Sequence, residues 1–205
     1  MIRIDNLQIY GIESAMHGMR NPMNSWHLND TKENNIGPND MKLLLSLTKA
    51  GPDHRKALRQ MMISCDVTAP LYWWKEFDTY KVGVTANSQS TMHKLCSRPL
   101  TVHDFSFEDM HDDEFIVNII LDNLNARIRD YKADMKQNKS LWRTIIQLLP
   151  CAYNQTRTVT MNYENILNIY KQRKNHKLSE WRDFCTYMYD NLDYCKLLVD
   201  AVESK

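Results

Sequence analysis

The stretch that decides the fold runs from residue 156 to residue 173 and reads TRTVTMNYENILNIYKQR. Its first part, 156–161, is short and β-branched, which is typical of a strand. Asn162 comes next, and asparagine is a preferred N-cap because its side-chain oxygen accepts a hydrogen bond from the first turn of a helix. We therefore predict a strand that passes directly into a helix ending near residue 174.

Other strands are predicted upstream of this stretch. Residues 3–10 are predicted as a short strand, and in 61–68 apolar and polar residues alternate with only Met62 out of phase, which indicates a strand with one buried face. Pro70 suits the first position of a following helix over 71–80, where its missing N–H costs nothing. Residues 20–39 are rich in turn-forming side chains and are predicted as a long loop.

Helices account for most of the remaining chain. Asn39 or Asp40 is expected to cap a helix that Gly51 ends. Apolar side chains recur at three- and four-residue steps over 114–135 and form a single stripe over 180–202, so each range is predicted as one helix. A shorter helix is predicted over 140–149, before Pro150. Helices dominate and strands are few, so the fold class is α+β.

Composition excludes several classes of protein. The 205 residues are 43% hydrophobic and 25% charged, which is the balance of a chain with a real core. The net charge of +1 gives no electrostatic case for binding polymeric nucleic acid or a membrane surface. No run approaches the roughly 18 apolar residues of a membrane-spanning helix, and the opening residues carry no signal or transit pattern. We therefore expect a cytoplasmic protein.

Cysteine and glycine usage narrows the kinds of site further. The five cysteines are widely spaced without a C-x-x-C pair, so neither a disulfide framework nor a zinc site is predicted, and small buried hydrophobic side chains are expected. The five glycines are scattered, which excludes both the dinucleotide-binding turn and the Walker loop. The cysteines are Cys65, Cys96, Cys151, Cys185 and Cys195.

Two segments carry more polar side chains than packing requires. Residues 81–94 follow a predicted helix, and such loops can cradle a phosphate with backbone N–H and hydroxyl groups. Residues 162–176 contain Asn162, Asn168 and Arg173. A solvated turn also explains the first segment, while an N-cap and a cation near a helix C-terminus also explain the second. Taken separately, the two segments leave both alternatives open.

The order and spacing of these two segments resemble the flavin-dependent thymidylate synthases over residues 41–202. That family's signature, R-H-R-x-x-S-x-N-E-x-S-x-R-Y, follows a strand, an Ala-Pro pair and a helix. Here Ala69-Pro70 ends the predicted strand and residues 80–93 lie over the signature, where Thr85, Asn87 and Ser90 match or nearly match.

A second family pattern is the more specific match. After a Leu-Pro pair and a threonine-bearing strand, the family has N-x-x-x-L-x-N-x-x-x-x-R. This chain has Asn162, Ile166, Asn168 and Arg173 at that spacing, downstream of Leu149-Pro150. Three polar positions therefore coincide on one predicted helix.

The chain also departs from the signature. Tyr80-Lys81-Val82 stands where the family has Arg-His-Arg, which leaves one cation, and Ser88 and Met92 replace the acidic residue and the later arginine. Lys75, Arg55, Arg59 and Arg98 are the cations expected to compensate. These departures motivate a second hypothesis, in which the chain is a non-catalytic nucleotide- or flavin-binding protein on the same scaffold.

The resemblance implies a fold in which helices pack on a small, mostly antiparallel sheet, with residues 1–38 as an N-terminal extension and 39–205 as a single globular domain. It implies a methyltransferase that reductively methylates dUMP to dTMP, or performs a variant of that reaction, with FAD, NADPH and methylenetetrahydrofolate. It also implies a homotetramer with sites between subunits. Within the site, both segments are expected to meet at one flat heterocycle.

The resemblance assigns roles residue by residue. Arg173 and Ser90 are expected to be catalytic, with the Arg173 guanidinium against the pyrimidine edge. Substrate contacts are expected from Ser88, Gln89, Ser90, Thr91, Met92 and Arg173. Cofactor contacts are expected from Tyr80, Lys81, Val82, Asn87, Ser88, Asn162 and Asn168.

Two further features are given ordinary structural interpretations. The acidic and histidine-rich residues 103–114 could be drawn as a metal cluster, but a solvated acidic lead into the long helix is favoured and no metal is predicted. Trp73, Trp74 and Phe77 could stack on a ring system, but aromatic residues at helical spacing are more often core or subunit contacts.

Overall fold

The computed structural model describes residues 2–108, 110 and 113–204. Four strands form one sheet in the order β1-β2-β4-β3. Strands β2 and β4 are antiparallel, because Thr68 faces Thr156 with hydroxyl oxygens 2.7 Å apart, and Asp66 accepts a 2.5 Å hydrogen bond from Thr158. The strands are β1 (Arg3–Tyr10), β2 (Met62–Pro70), β3 (Thr85–Ser88) and β4 (Asn154–Asn162).

The helices precede, separate and follow these strands. They are α1 (Ile12–Met19), α2 (Pro38–Ala50), α3 (Leu71–Phe77), α4 (Thr91–Lys94), α5 (Glu114–Ala133), α6 (Lys139–Leu148), α7 (Tyr163–Arg173), α8 (Ser179–Asn191) and α9 (Cys195–Glu203). The predicted strands at 3–10 and 61–68 and the strand-to-helix junction at Asn162 are confirmed. Among the described residues, no helix has the length and apolar character needed to cross a bilayer.

Several predicted boundaries are wrong. Helix α2 is capped by Gly37 and begins at Pro38, because the Asp40 carboxylate instead binds Arg20 at 2.7 Å and accepts hydrogen bonds from Thr31. The single helix over 180–202 is two helices, since the chain turns at Tyr194, whose φ is +64°. The long loop over 20–39 contains short 3₁₀ turns, and helix α1 was not predicted.

The chain divides into two compact units, which interleave along the sequence. Unit 1 consists of the described residues up to Arg3 and within 68–79 and 87–157. Its interior holds Trp73, Trp74 and Phe77, all at most 1% exposed, which confirms their interpretation as core residues. A second cluster in unit 1 consists of Leu95, Leu100, Phe105, Leu124, Ile128, Ile145 and Tyr153.

Unit 2 consists of residues 4–67, 80–86 and 158–204. Its core is formed by side chains from β2, β4 and the helices α7 to α9, including the fully buried Ile63, Val159 and Trp181. Most of the N-terminal segment lies in this unit. The division into an extension over 1–38 and a domain over 39–205 stays a prediction.

Candidate functional site

Helix α7 begins with a reciprocal cap that also anchors residues 80–86. The side-chain oxygen of Asn162 accepts from the Asn165 backbone N–H at 3.0 Å, and the Asn165 side-chain oxygen accepts from the Asn162 backbone N–H at 3.1 Å. The Asn165 amide then donates to the Val82 carbonyl at 2.8 Å. The Asn162 side-chain oxygen, predicted to bind the flavin, is therefore already used in capping the helix.

Gly83 lies directly against this cap. Its φ is +74°, a conformation that favours glycine. A Cβ at this position would lie 2.8 Å from the Asn162 amide nitrogen, which is closer than a carbon can approach without displacement. Residue 83 thus meets two independent requirements for glycine, and the close contact fixes residues 80–86 against the first turn of α7.

Arg173, at the other end of α7, is held by aromatic side chains. Its Nε donates to the Tyr80 hydroxyl at 2.9 Å, and its guanidinium carbon lies 4.9 Å from the centre of the Trp181 ring. The Tyr80 hydroxyl in turn donates to Gln172 at 3.1 Å. Burial raises the pKa of the neighbouring Cys185 thiol to about 12, against the lowering effect of Arg173. The hydrogen bond to Tyr80 and the packing on Trp181 hold Arg173 in a half-buried position.

These contacts bring together four of the predicted site residues. Tyr80 and Val82 lie along the face of α7 that carries Asn162 and Arg173, which are eleven residues or about three helical turns apart. Tyr80 contacts Arg173, and its expected role as a cofactor ligand stays a prediction. Lys81 is exposed, and Val82 is 88% exposed.

Asn168 lies on a different side of α7. It lines a cavity of about 490 Å³ in unit 2, together with Thr48, Leu167, Tyr170 and Lys171. This volume falls within the range of small-molecule sites. The Thr48 side chain is buried, and its hydroxyl has no hydrogen-bond partner among the described residues.

The predicted phosphate loop belongs to unit 1, where its residues have partners of their own. The Gln89 N–H donates to the Thr156 carbonyl at 2.8 Å, and the Ser90 hydroxyl oxygen accepts from the His93 N–H at 3.2 Å as the N-cap of α4. The Met92 carbonyl accepts from Trp142 at 3.1 Å. Asn87 and Ser88 end strand β3 and are exposed. Because this loop and α7 lie in different units, their meeting at one heterocycle stays a prediction.

Two of the cations expected to compensate for the missing arginines are already paired. Arg55 binds Glu164 through two hydrogen bonds of 2.8 and 2.7 Å, and both side chains are buried. Arg98 makes the same kind of paired contact with Asp104 in unit 1. Both arginines are paired with carboxylates, Arg55 in the interior and Arg98 at the surface.

The described part of the chain contains no group of three or more His, Cys, Asp or Glu side chains placed to hold a metal ion. Asp109, His111 and Asp112, which belong to the acidic lead before α5, lie outside the described residues. The interpretation of that segment therefore stays a prediction.

Comparison with known proteins gives matches to solved structures alone. No family model matches the chain, and no curated protein matches its sequence. The crystal structure of thymidylate synthase X (ThyX) from Helicobacter pylori with FAD and dUMP superposes with a TM-score of 0.74 and covers 99% of this chain and 100% of that one. A second structure of H. pylori flavin-dependent thymidylate synthase ThyX, also complexed with FAD and dUMP, gives 0.71, with coverage of 98% and 99%. Both are 14% identical to this chain.

The chain has the fold of the flavin-dependent thymidylate synthases. The predicted α+β class with a small, mostly antiparallel sheet is confirmed, as is the ThyX resemblance at the level of the fold. Because the two H. pylori ThyX chains cover nearly all of this chain, the fold match also includes most of residues 1–38, for which no sequence resemblance was found.

Some contributors to the site were missed by sequence reasoning. Asn165 was not singled out, although its position three residues after Asn162 is the spacing of a capping box. Trp181 was assigned only to an apolar stripe, and it also packs on Arg173.

Proposed function

We propose that this chain is a ThyX-like, flavin-dependent enzyme that acts on a pyrimidine deoxynucleotide. The observation that carries the proposal is the fixed guanidinium of Arg173, at the end of α7, in a chain with the ThyX fold. The reaction proposed is the reductive methylation of dUMP to dTMP, or a variant of it, with NADPH and methylenetetrahydrofolate as co-substrates. Binding of FAD and a pyrimidine deoxynucleotide is the coarser part of the proposal, and it is supported by the two H. pylori ThyX structures, which contain FAD and dUMP.

Arg173 is suited to hold the pyrimidine edge. A guanidinium keeps its charge at any physiological pH and offers donors in a planar fork, which matches the N3–C=O edge of uracil when N3 is ionised and both atoms accept. Its Nε donates to the Tyr80 hydroxyl, which orients the guanidinium. A permanent positive charge at this position stabilises negative charge that develops on the ring during transfer of the one-carbon unit.

Ser90 and its neighbours are proposed to hold the nucleotide phosphate. The Ser90 hydroxyl oxygen accepts from His93, and a hydroxyl that accepts one hydrogen bond still has its own proton to donate. Gln89 is assigned to the substrate through its side chain, because its backbone N–H is used in a hydrogen bond to Thr156. Ser88, Thr91 and Met92 complete this proposed contact.

The residues present fit a flavin on one side of α7. Asn168, an amide side chain, lines the 490 Å³ cavity. Apolar side chains such as Leu167 and the ring of Tyr170 would hold the flat ring system, and the amide would bind its polar edge. When bound, the flavin supplies the redox chemistry, while the protein orients it.

The remaining cofactor assignments follow the sequence match. The sequence match places four exposed residues beside the cofactor, namely Lys81, Val82, Asn87 and Ser88. Asn162 has only its amide nitrogen to offer, since its oxygen caps α7. Tyr80 keeps its proposed place beside the cofactor and also holds Arg173.

A homotetramer is part of the proposal. Its support is an apolar face on α5, where Phe115 is 76% exposed and Ile116 and Ile119 are each more than 40% exposed. Light scattering after size exclusion should give four times the 24.3 kDa of the chain. A mass of one chain at micromolar concentration would contradict this part of the proposal.

The direct test is the visible spectrum of the purified protein, before and after addition of dUMP. We expect a flavin spectrum that dUMP perturbs and a melting temperature that both ligands raise. Colourless protein whose melting temperature responds to neither FAD nor dUMP would exclude the proposal.

A non-catalytic binding protein is the second candidate, favoured by Tyr80-Lys81-Val82 in place of the Arg-His-Arg motif. NADPH oxidation and dTMP formation with methylenetetrahydrofolate separate the two candidates. If the chain is an enzyme, the wild-type protein should form dTMP. Arg173→Ala should then abolish dTMP formation while flavin stays bound. Wild type that binds both ligands without any turnover would favour the binding protein.

A further inference from the structure

An exposed apolar surface covers one side of α5 in unit 1. Phe115 is 76% exposed, and Ile116 and Ile119 are 47% and 44% exposed. Leu148, at the end of α6, is 50% exposed and lines the same groove as Ile119. Large apolar side chains that are exposed together, rather than singly, mark interaction sites. We therefore expect a partner to cover this surface.

The groove begins one helical turn after Phe115 and has a volume of about 340 Å³. It is lined by Ile119, Ile120, Asn123, Leu124, Arg127 and Leu148. A cavity of about 150 Å³ is enough to hold a benzene molecule. Phe115 does not line the groove, since it precedes Asn123 by eight residues, or about 12 Å along the helix. The same helix thus presents an exposed phenyl ring and a groove of sufficient size to hold one.

The charges of α5 are distributed unequally along the helix. Its first ten residues contain two acidic and no basic side chains, and its last ten contain three basic side chains and one acidic side chain. Two such helices that pack antiparallel bring opposite charges together, whereas parallel packing brings like charges together. The charge pattern therefore favours antiparallel packing against a second copy of the same helix.

Two charges at this surface match that arrangement in detail. Arg127 donates through one terminal nitrogen to the backbone and side-chain oxygens of Asn123, at 3.0 and 3.1 Å, so its guanidinium lies beside Asn123. Glu114 is exposed at the first position of the helix. In the described part of the chain, neither Glu114 nor Arg127 has an oppositely charged partner.

We infer that α5 packs antiparallel against α5 of a second copy of this chain, with Phe115 of each copy in the groove of the other. A two-fold axis beside Ile119 brings Phe115 of one copy to Asn123 of the other, because both residues lie four positions from the axis. Glu114 of one copy then lies within about one helical turn of Arg127 in the other. A two-fold interface makes each of these contacts twice.

This pairing goes beyond the proposed function, because it requires neither flavin nor nucleotide. It commits to one contact between chains, whereas a tetramer also needs a second, different contact.

Phe115→Glu tests the pairing by placing a charge in the apolar contact. Because Phe115 is mostly exposed in the single chain, the variant should fold and keep the wild-type circular dichroism spectrum. Sedimentation equilibrium of the full chain, without added ligand, should give half the mass of wild type at the same micromolar concentration. Met23→Glu is the matched control, since Met23 is 82% exposed but lies in unit 2, and this variant should keep the wild-type mass.

Charge reversal tests the antiparallel orientation. Glu114→Arg and Arg127→Glu each place like charges together twice in the pair, so the dissociation constant for the step that halves the mass should rise about fivefold to thirtyfold. The double variant Glu114→Arg with Arg127→Glu restores opposite charges and should return to within about threefold of wild type.

Wild type with the mass of one chain would overturn the inference, as would Phe115→Glu with the wild-type mass. A Met23→Glu variant that loses mass equally would also overturn it, because the loss would then not be specific to α5. A double variant as weak as the single variants would overturn the antiparallel arrangement. FAD and dUMP binding by the same samples tests the proposed function separately, since a protein that pairs through α5 without binding flavin would overturn the proposed function alone.

Discussion

The Tyr80 hydroxyl is the contact that most directly fixes Arg173. It accepts from the Arg173 Nε at 2.9 Å and donates to Gln172 at 3.1 Å. Tyr80→Phe removes both hydrogen bonds but keeps the ring, which lies 5.7 Å from the guanidinium carbon. Hydrogen bonds to charged groups contribute about 1.5–3 kcal/mol. Because both side chains are half-buried, water partly replaces the lost partner, and about 1–1.5 kcal/mol is expected.

The hydrogen bond is present without dUMP as well, so this free energy sets the upper limit of the loss, which is a dUMP affinity about fivefold to twelvefold weaker. The assay is calorimetric titration of dUMP into FAD-loaded wild type and Tyr80→Phe. Tyr194→Phe is the control, since the Tyr194 hydroxyl bonds to the backbone of Asn34 and Ile36 and does not touch Arg173. Equal dUMP affinities for wild type and Tyr80→Phe would refute the role of Tyr80, as would equal losses in the two variants.

Three further predictions concern stability and reactivity. Gly83→Ala should destabilise the protein by about 1–2 kcal/mol, because a residue in the left-handed conformation would gain a Cβ. A free energy of unfolding in urea equal to that of wild type would contradict this. Asp66 has its pKa lowered by hydrogen bonds from Thr158 and Asn6, so it stabilises the fold above the ordinary carboxyl pKa. That contribution is lost as the pH falls through the lowered pKa. Between about pH 5 and about pH 2, the free energy of unfolding of Asp66→Asn should therefore decrease less than that of wild type. A thiol reagent added to the native protein at about pH 8 should label the exposed Cys151 rapidly. Equally rapid labelling of the buried thiols would contradict this prediction. Burial raises the pKa to about 12 for each of Cys65, Cys185 and Cys195.

Local signals were sufficient where a structural feature depends on neighbouring residues. The junction of β4 and α7 was predicted from Asn162 and the β-branched residues before it, because capping is a contact over three residues. Helix α2 shows the opposite case. Asp40 is a good capping residue by type, but Arg20, twenty positions away, binds its carboxylate, and Gly37 becomes the cap. A competing tertiary contact of this kind has no signature in the local sequence.

The arrangement of the site was only partly predictable. Helical periodicity alone places Asn162 and Arg173 on one face, since eleven residues are about three turns, while Asn168 falls on another face. The contact of Tyr80 with Arg173 joins residues 93 positions apart and could not be read from spacing. The resemblance to ThyX singled out helix α7, and the cofactor role that it implied for Tyr80 stays a prediction.

The central claim, that this chain binds a flavin and a pyrimidine deoxynucleotide together, is tested most directly by titrating dUMP into the FAD-loaded protein while recording the flavin absorbance. The account predicts a saturable change in the flavin spectrum with dUMP that is much weaker with Arg173→Ala. A protein that retains no FAD, or a flavin spectrum that dUMP leaves unchanged at saturating concentration, would contradict it.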